Sequence, residues 1–185
     1  MAVARRGLTL EQFLQLPEEE PALEYIDGVV SQKASPKLRH SVLQGELAAR
    51  INAVARRPRV ALALPEVRAT FAGASVVPDV SVYRWERIPR DAEGEVLDDV
   101  FIPPDIAVEI ASPRQSKSSL ARRCRWYVSN GVDIALLIDP DGRAVLAFRA
   151  EDTAEWNGSG HIDISAVIPG FALTVEQLFE SLQVG

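Results

Sequence analysis

Two carboxylates stand inside apolar, strand-like runs of the sequence. Asp79 leads into the run 80–82, and Glu109 lies within the run 106–111. A strand buried on both faces is apolar throughout, and a carboxylate inside it needs a paired charge, a hydrogen bond or a metal ion. Two such residues in nearby strands therefore indicate a site for a divalent cation.

A basic segment follows Glu109 along the chain. Residues 114–130 have helical character and carry five cations and no acid. Ser119 and Arg123 are four residues apart and so share one face of this helix. The adjacent apolar stripe, which should pack on a sheet, consists of Leu120, Cys124 and Tyr127. Carboxylates for a metal ion, followed by cations for phosphate, suit phosphodiester hydrolysis.

Composition and charge exclude several classes of protein, including those with an intrachain disulfide or a membrane-spanning helix. The chain has 185 residues with a net charge of −6, so the whole molecule is not an electrostatic binder of nucleic acid, although its basic segments could meet an anion locally. Cys124 is the only cysteine, which excludes an intrachain disulfide and a thiolate metal cluster. The N-terminal residues lack the apolar core of a signal peptide, and no run is long enough to span a bilayer. We expect a cytoplasmic protein with no membrane partner.

The remaining patterns predict one mixed α/β domain over residues 1–185. Thr9 and Gln12 form the signature of a capped helix, and Asp27-Gly28 predicts a hairpin. Helices are expected over 38–55, with a buried stripe that includes Val54, and over 175–182. Residues 73–75 read as a turn and 87–103 as a loop. Strands are expected at 60–64, 67–71, 134–138 and 144–148, with further edge strands near Trp156, Ile162 and Ile164.

The order and spacing of these motifs resemble the Uma2 family over about residues 9–179. The motifs that carry the resemblance are Thr9 to Phe13, Leu23 to Gly28, Pro78-Asp79-Val80, Pro104 to Pro113, Tyr127, Gly131-Val132 and Ile138-Asp139-Pro140. Uma2 is a bacterial family, formerly a domain of unknown function, in the restriction-endonuclease-like PD-(D/E)xK superfamily. The resemblance implies a mixed central sheet flanked by helices, with an additional N-terminal hairpin.

The resemblance also implies roles for individual residues. Glu24 matches the acid of the first motif, Asp79 the aspartate of the PD motif and Glu109 the central acid. These three are the expected ligands of Mg²⁺ or Mn²⁺, and the expected catalytic residues are Asp79, Glu109 and Arg123. Lys117, Arg122 and Arg123 are expected to bind nucleic acid, with DNA favoured, and His40 and Ser119 are accessory candidates.

The chain departs from the family pattern at several positions. Ala111 stands where typical restriction enzymes have a lysine, and Ser119 and Arg123 stand where the family has an aspartate and a lysine. The family's aromatic pair is replaced by Ala135 and Leu136. Because arginine stays protonated, Arg123 can hold a phosphate but is a poor general base.

Several interpretations therefore stay open. The first is a metal-dependent endonuclease, and the second is a catalytically silent module that binds nucleic acid or a protein on the same fold. The third is a homodimeric scaffold that uses the run 134–138 and Trp126 as an interface. At single positions, Asp79 could merely end a strand, Glu109 could face water, and the basic run could be a solvated helix face.

Overall fold

The computed structural model describes residues 5–113 and 115–183. The strands are β1 (Arg5–Arg6), β2 (Leu23–Ile26), β3 (Val29–Gln32), β4 (Ala61–Pro65), β5 (Ala69–Phe71), β6 (Ala74–Val76), β7 (Val80–Arg84), β8 (Ile106–Ile110), β9 (Ile134–Asp139), β10 (Ala144–Phe148) and β11 (Thr153–Asn157). The α-helices are α1 (Leu10–Phe13), α2 (Leu38–Ala55), α3 (Lys117–Ser129) and α4 (Val175–Glu180), and a short 3-10 helix covers Trp85–Arg87.

The main sheet has six strands in the order β11-β10-β9-β8-β7-β4. Strands β8 and β9 run parallel, and the other described pairs are antiparallel, which confirms the predicted mixed sheet. Every residue of β8 and β9 is buried. The apolar residues of α2 and α4 cover one face, and those of α3 and the second sheet cover the other. Coverage on both faces explains why these strands read as continuous apolar runs.

The alternation of side chains along β8 decides where Glu109 points. Ile106, Val108 and Ile110 belong to the core on the α2 side. Ala107 and Ala111 pack on the α3 side, and Glu109 shares their face because successive side chains of a strand alternate. The carboxylate of Glu109 is therefore directed toward α3 rather than toward water.

The N-terminal hairpin belongs to a second sheet with the strand order β1-β3-β2-β6-β5. The predicted turn at Asp27-Gly28 is confirmed, with positive φ at both residues, as a two-residue hairpin of this kind requires. The turn expected over 73–75 is wrong in its position. It lies at Ala72-Gly73, both with positive φ, and Ala74–Val76 forms β6.

Helix α2 has the predicted bounds, but its buried stripe is rotated from the expected one. Leu43, Leu47 and Ile51 are fully buried, whereas Val54 is 45% exposed. The expectation for Val54 was wrong because the buried positions in the last turn of the helix are Ile51 and Ala55, and Val54 lies at the exposed edge beside them. Helix α3 begins at Lys117, capped by Ser116, and Arg114 lies outside the described residues.

The run 134–138 is strand β9, which lies between β8 and β10 and is buried along its whole length. The expectation that it contributes to a dimer interface is therefore wrong. Trp156 lies in edge strand β11 as predicted, whereas the edge strands expected at Ile162 and Ile164 are not found in the described chain. Both residues are buried beside α4 in the core.

Candidate active site

Three buried acidic side chains, two on strands and one directly before a strand, line one cavity. Glu24 lies on β2, Asp79 directly before β7 and Glu109 on β8, and each is at most 5% exposed. The cavity has a volume of about 510 Å³, and its wall also contains predicted site residues from two helices: His40, Ser119, Arg122 and Arg123. The structure thus brings together all the predicted site residues except Lys117.

Strand pairing holds Asp79 beside Glu109. The antiparallel register sets Val80 opposite Val108, and the backbone N–H of Asp79 donates to the carbonyl of Val108 at 2.9 Å. The Oδ2 atom of Asp79 accepts the backbone N–H of Ile110 at 2.7 Å. Asp79 is therefore more than a strand-ending residue, because its side chain is bonded to the strand that carries Glu109.

Two basic side chains approach the carboxylate of Asp79. The Nζ atom of Lys33 donates to Oδ1 at 2.7 Å, and Nε2 of His40 lies 3.0 Å from Oδ2. Burial alone would raise the pKa of Asp79. The hydrogen bond and charge of His40 and the charge of Lys33 outweigh burial and lower this pKa to about 2. Asp79 is therefore ionised at neutral pH.

Glu109 has the opposite electrostatic balance. The hydroxyl of Tyr127 donates to Oε1 at 2.6 Å, and Nε of Arg123 lies 2.8 Å from the same oxygen. Burial is the largest effect and raises the pKa of Glu109 to about 7. The charge of Arg123 acts against burial, whereas the nearby Asp79 carboxylate adds to it. Two neighbouring carboxyls with pKa values pushed apart are typical of a functional site.

Arg123 connects α3 to the second sheet. Its Nη1 donates to Oε2 of Glu24 at 2.7 Å, and its Nη2 donates to Oε1 of the same carboxylate. Its Nε–H donates to the hydroxyl of Tyr127 at 2.7 Å. Burial would lower the pKa of Arg123, but the charges of Glu109 and the other neighbours raise it well above the ordinary value. Arg123 is thus a fixed cation, as expected for arginine.

The other predicted cations differ in their placement. Arg122 is exposed and lines the cavity, so it can meet an anion that enters. Lys117 is not part of the cavity wall; its ammonium pairs with Asp139 at the end of β9. Trp126 also lines the cavity and packs against Phe71 at a ring separation of 5.4 Å.

The donor set fits a hard divalent ion in its chemistry. Carboxylate oxygens are the ligands that Mg²⁺ and Mn²⁺ prefer, and the cavity offers three buried carboxylates, the exposed carboxylate of Asp27 and one imidazole. In the described residues, however, no three acidic, histidine or cysteine side chains converge into a metal-binding cluster. The carboxylates are instead paired with Lys33, His40 and Arg123. Among the oxygens of Glu24, Asp79 and Glu109, the Oε2 atom of Glu109 accepts no hydrogen bond from residues 5–113 or 115–183.

Lys33 and the hydroxyl of Tyr127 are site residues that sequence reasoning did not assign. Tyr127 was expected only as part of the apolar stripe, which it also is. Lys33 directly follows β3, and its place across the cavity depends on the contact between strands β2 and β6. The signal available in the sequence was a lysine next to a strand in a segment without acids.

The mixed sheet, with an acidic cavity at one side, is the architecture of the restriction-endonuclease-like fold class. The chain belongs to the Uma2 family, whose model, described as "Putative restriction endonuclease", matches residues 10–176. A crystal structure of a "putative nuclease belonging to DUF820" from Anabaena variabilis ATCC 29413 is similar to this chain. The TM-score is 0.92 at 37% identity, over 96% of this chain and 100% of that chain. The predicted family and fold class are confirmed.

Two other comparisons add no functional information. A cryo-EM structure of a DrdV–DNA complex aligns with a TM-score of 0.32 at 10% identity, over 75% of this chain and 14% of that chain, which is too weak to bear on fold or function. No curated protein matches the chain.

Among the helices in the described ranges, none is long and apolar enough to cross a membrane.

Proposed function

We propose that this protein is a metal-dependent endonuclease that hydrolyses phosphodiester bonds of nucleic acid, with DNA favoured as substrate. The observation that carries the proposal is the convergence of Glu24, Asp79 and Glu109 in one cavity that also exposes Arg122. Buried acids are costly, so three of them in one wall are more consistent with a site than with packing. The family match and the nuclease-class neighbour support the same reaction.

Glu24, Asp79 and Glu109 would hold Mg²⁺ or Mn²⁺, which when bound neutralises phosphate charge and activates water. The protein's own residues supply the surroundings. Asp79, with its low pKa, remains ionised, and the hydroxyl of Tyr127 and the guanidinium of Arg123 hold the carboxylate of Glu109 in place. Arg122 at the wall would attract the phosphate backbone.

A nicking assay on supercoiled plasmid tests the proposal. Wild-type protein with Mn²⁺ should nick the plasmid, EDTA should stop the reaction, and Glu109→Gln should reduce the rate at least about 100-fold. Glu155→Gln, on exposed edge strand β11, is the matched control and should retain the wild-type rate. Equal nicking by wild type and Glu109→Gln would reveal a contaminating nuclease and contradict the proposal.

One observation favours a second function, that of a catalytically silent module that binds nucleic acid. Arg123 pairs with Glu24 and lies against Glu109, so its guanidinium engages two of the three acids proposed to hold the ion. Binding to DNA with a steep salt dependence, but without nicking in Mn²⁺, would support this second function.

Three further expectations stand as parts of the proposal. Residues 1–185, with a core of about 9–179, are proposed to fold as one domain, and the protein is proposed to be cytoplasmic.

A homodimer is still proposed, with Trp126 rather than β9 as its remaining candidate contact. Light scattering at several concentrations measures the mass, and a monomer mass throughout would contradict the dimer.

A further inference from the structure

We propose that Lys33 is a catalytic residue that contacts the phosphate in the acidic cavity through its ammonium group. This inference rests on the proposed nuclease function and assigns one more residue to the same site. Lys33 lies in the wall of the cavity together with Glu24, Asp79 and Glu109, and its side chain is 13% exposed.

The ammonium of Lys33 is fixed in place by two acceptors. Its Nζ donates to the backbone carbonyl of Val77 at 2.7 Å and to Oδ1 of Asp79 at 2.7 Å. Both acceptors belong to the short link between β6 and β7, whose Val77 N–H also donates to Glu24 at 2.7 Å. The same link therefore ties the lysine to two of the three acids.

One N–H of the ammonium remains available. A lysine has three donors, and in the described part of the chain only the two acceptors above lie within hydrogen-bond distance. The next acid, Glu66, is 4.0 Å from Nζ. Because Lys33 lines the acidic cavity, this remaining donor is available to a non-bridging phosphate oxygen bound there.

Arg123 is less suited to the same contact, although it occupies the position at which the family resemblance suggested a cation. Both of its terminal nitrogens bind Glu24 and its Nε–H binds Tyr127. Three of the five guanidinium N–H donors of Arg123 are thus committed, and its plane is fixed on Glu24 through both terminal nitrogens. The compact ammonium of Lys33 commits two of its three donors and can turn the third toward a phosphate oxygen. We assign the phosphate contact to Lys33 and the positioning of Glu24 and Glu109 to Arg123.

The step that Lys33 assists is hydrolysis. Water forms a new bond to phosphorus, the bond to the leaving oxygen breaks, and the proton lost by the water is balanced by one gained by the leaving oxygen. Lys33 keeps its own protons and stabilises the added negative charge on the non-bridging oxygen. Its loss should therefore affect kcat more than KM.

The test compares Lys33→Met and Lys33→Arg with Lys37→Met, a control with the same charge change outside this cavity wall. Lys33→Met should lower kcat for Mn²⁺-dependent cleavage about 100-fold with KM changed less than about threefold. Lys33→Arg should recover about tenfold, and Lys37→Met should remain within about twofold of wild type. Thermal melting confirms that each variant is folded.

Two further measurements separate phosphate contact from a structural role. In EDTA, the salt dependence of DNA binding should fall by a slope of about 0.9 in Lys33→Met and stay unchanged in Lys37→Met. Mn²⁺ binding, followed by electron paramagnetic resonance, should be as tight or tighter in Lys33→Met, because the ammonium no longer competes for Asp79. Weaker Mn²⁺ binding would show that Lys33 only positions Asp79 and would overturn the assignment.

The failures are distinguishable. If wild-type protein neither cuts nor binds DNA, the proposed function fails, and the inference about Lys33 fails with it. If wild type binds without cutting, the nuclease proposal and the catalytic role of Lys33 both fail, and the salt dependence shows only whether Lys33 contacts a phosphate. Cleavage and salt dependence of Lys33→Met equal to those of Lys37→Met would overturn the inference and leave the nuclease proposal standing.

Discussion

Arg123 and Glu24 form an ion pair through two hydrogen bonds, although they are 99 residues apart in sequence. The pair joins α3, which packs on the main sheet, to β2 of the second sheet. Both side chains are largely buried, at 18% and 4% exposed. An arginine fork matched to a carboxylate is a strong, geometrically specific contact, so this pair fixes the helix and the hairpin relative to each other.

We expect Arg123→Met to lower the free energy of unfolding by about 3 kcal/mol, because it leaves Glu24 and Glu109 without their cation. Arg123→Lys should lower it less, since it keeps the charge but cannot form both bonds to Glu24. Urea unfolding measures these changes. Arg122→Met is the control on the exposed face and should change stability by less than about 0.5 kcal/mol. Equal losses at positions 122 and 123 would contradict the role of the pair.

Stability should fall as the pH rises toward neutrality because of Glu109. Its pKa is raised to about 7 in the folded protein by burial, against an ordinary value of 4.5. Between these two values the folded state binds more protons than the unfolded state, so unfolding becomes easier as pH increases. The contribution of Glu109 is fully present below pH 4.5 and is lost as pH passes 7, by about 3 kcal/mol.

Glu109→Gln isolates this effect because glutamine does not titrate. The stability of the variant relative to wild type should increase from pH 5 to pH 8 in urea unfolding curves. Asp79 does not interfere in this window, since its pKa of about 2 and its ordinary value of 3.8 both lie below pH 5. A constant difference between wild type and Glu109→Gln across the range would contradict the raised pKa.

Asp105 should be a stability determinant of the loop that precedes β8. It is fully buried and accepts the backbone N–H of Arg84 at 2.7 Å, the guanidinium of Arg84, and Nη1 of Arg87 at 2.6 Å. Asp105→Asn should cost about 3 kcal/mol, because two guanidinium groups lose their buried counter-charge. Asp133→Asn removes a half-exposed partner of Arg84 and should cost less than about 1 kcal/mol. A similar cost at both positions, measured by urea unfolding, would refute this assignment.

The thiol of Cys124 should be unreactive in the folded protein. Its side chain is fully buried in the core between α3 and the main sheet, and burial raises its pKa. Because the thiolate is the reactive form, a disulfide reagent at pH 8 should modify it only after unfolding. Cys124 is the sole cysteine, so the absorbance change reports this position alone. Rapid, complete modification of the native protein would contradict the packing of α3.

Local patterns were sufficient to predict much of the fold. The capping box at Thr9 and the Asp27-Gly28 turn depend on residues within four positions, and both are present. Strands β8 and β9 were recognisable because a parallel pair covered on both faces is apolar without interruption. The rotation of the α2 stripe and the strand β6 were missed, since both depend on packing that short patterns do not specify.

The acids of the candidate site were predictable from the sequence, but of its cations Lys33 was missed, and Lys117, which was included, lies outside the cavity wall. An acidic residue inside an apolar strand is unusual because its burial is costly, and this is why Asp79 and Glu109 could be found in the sequence. Lys33 gives no such signal, because a lysine directly after a strand is an ordinary surface residue in sequence. Its role depends on a distance to Asp79, 46 residues away, that only the folded chain provides. The pairing of Arg123 with Glu24, 99 residues away, likewise could not be predicted from the sequence.

Arg122 should contribute more to DNA binding than Lys117, although both lie on α3. Arg122 is exposed in the wall of the acidic cavity, whereas the ammonium of Lys117 is paired with Asp139 away from it. Arg122→Ala should reduce the slope of log affinity against log salt by about 0.9, the value for one lost phosphate contact. Lys117→Ala should leave that slope unchanged, because the lysine must leave Asp139 to reach a phosphate.

Both slopes are measured by fluorescence anisotropy with a labelled duplex in EDTA, at salt concentrations between about 50 and 200 mM. A larger change for Lys117→Ala than for Arg122→Ala would place the DNA at the N-terminus of α3 instead of at the cavity.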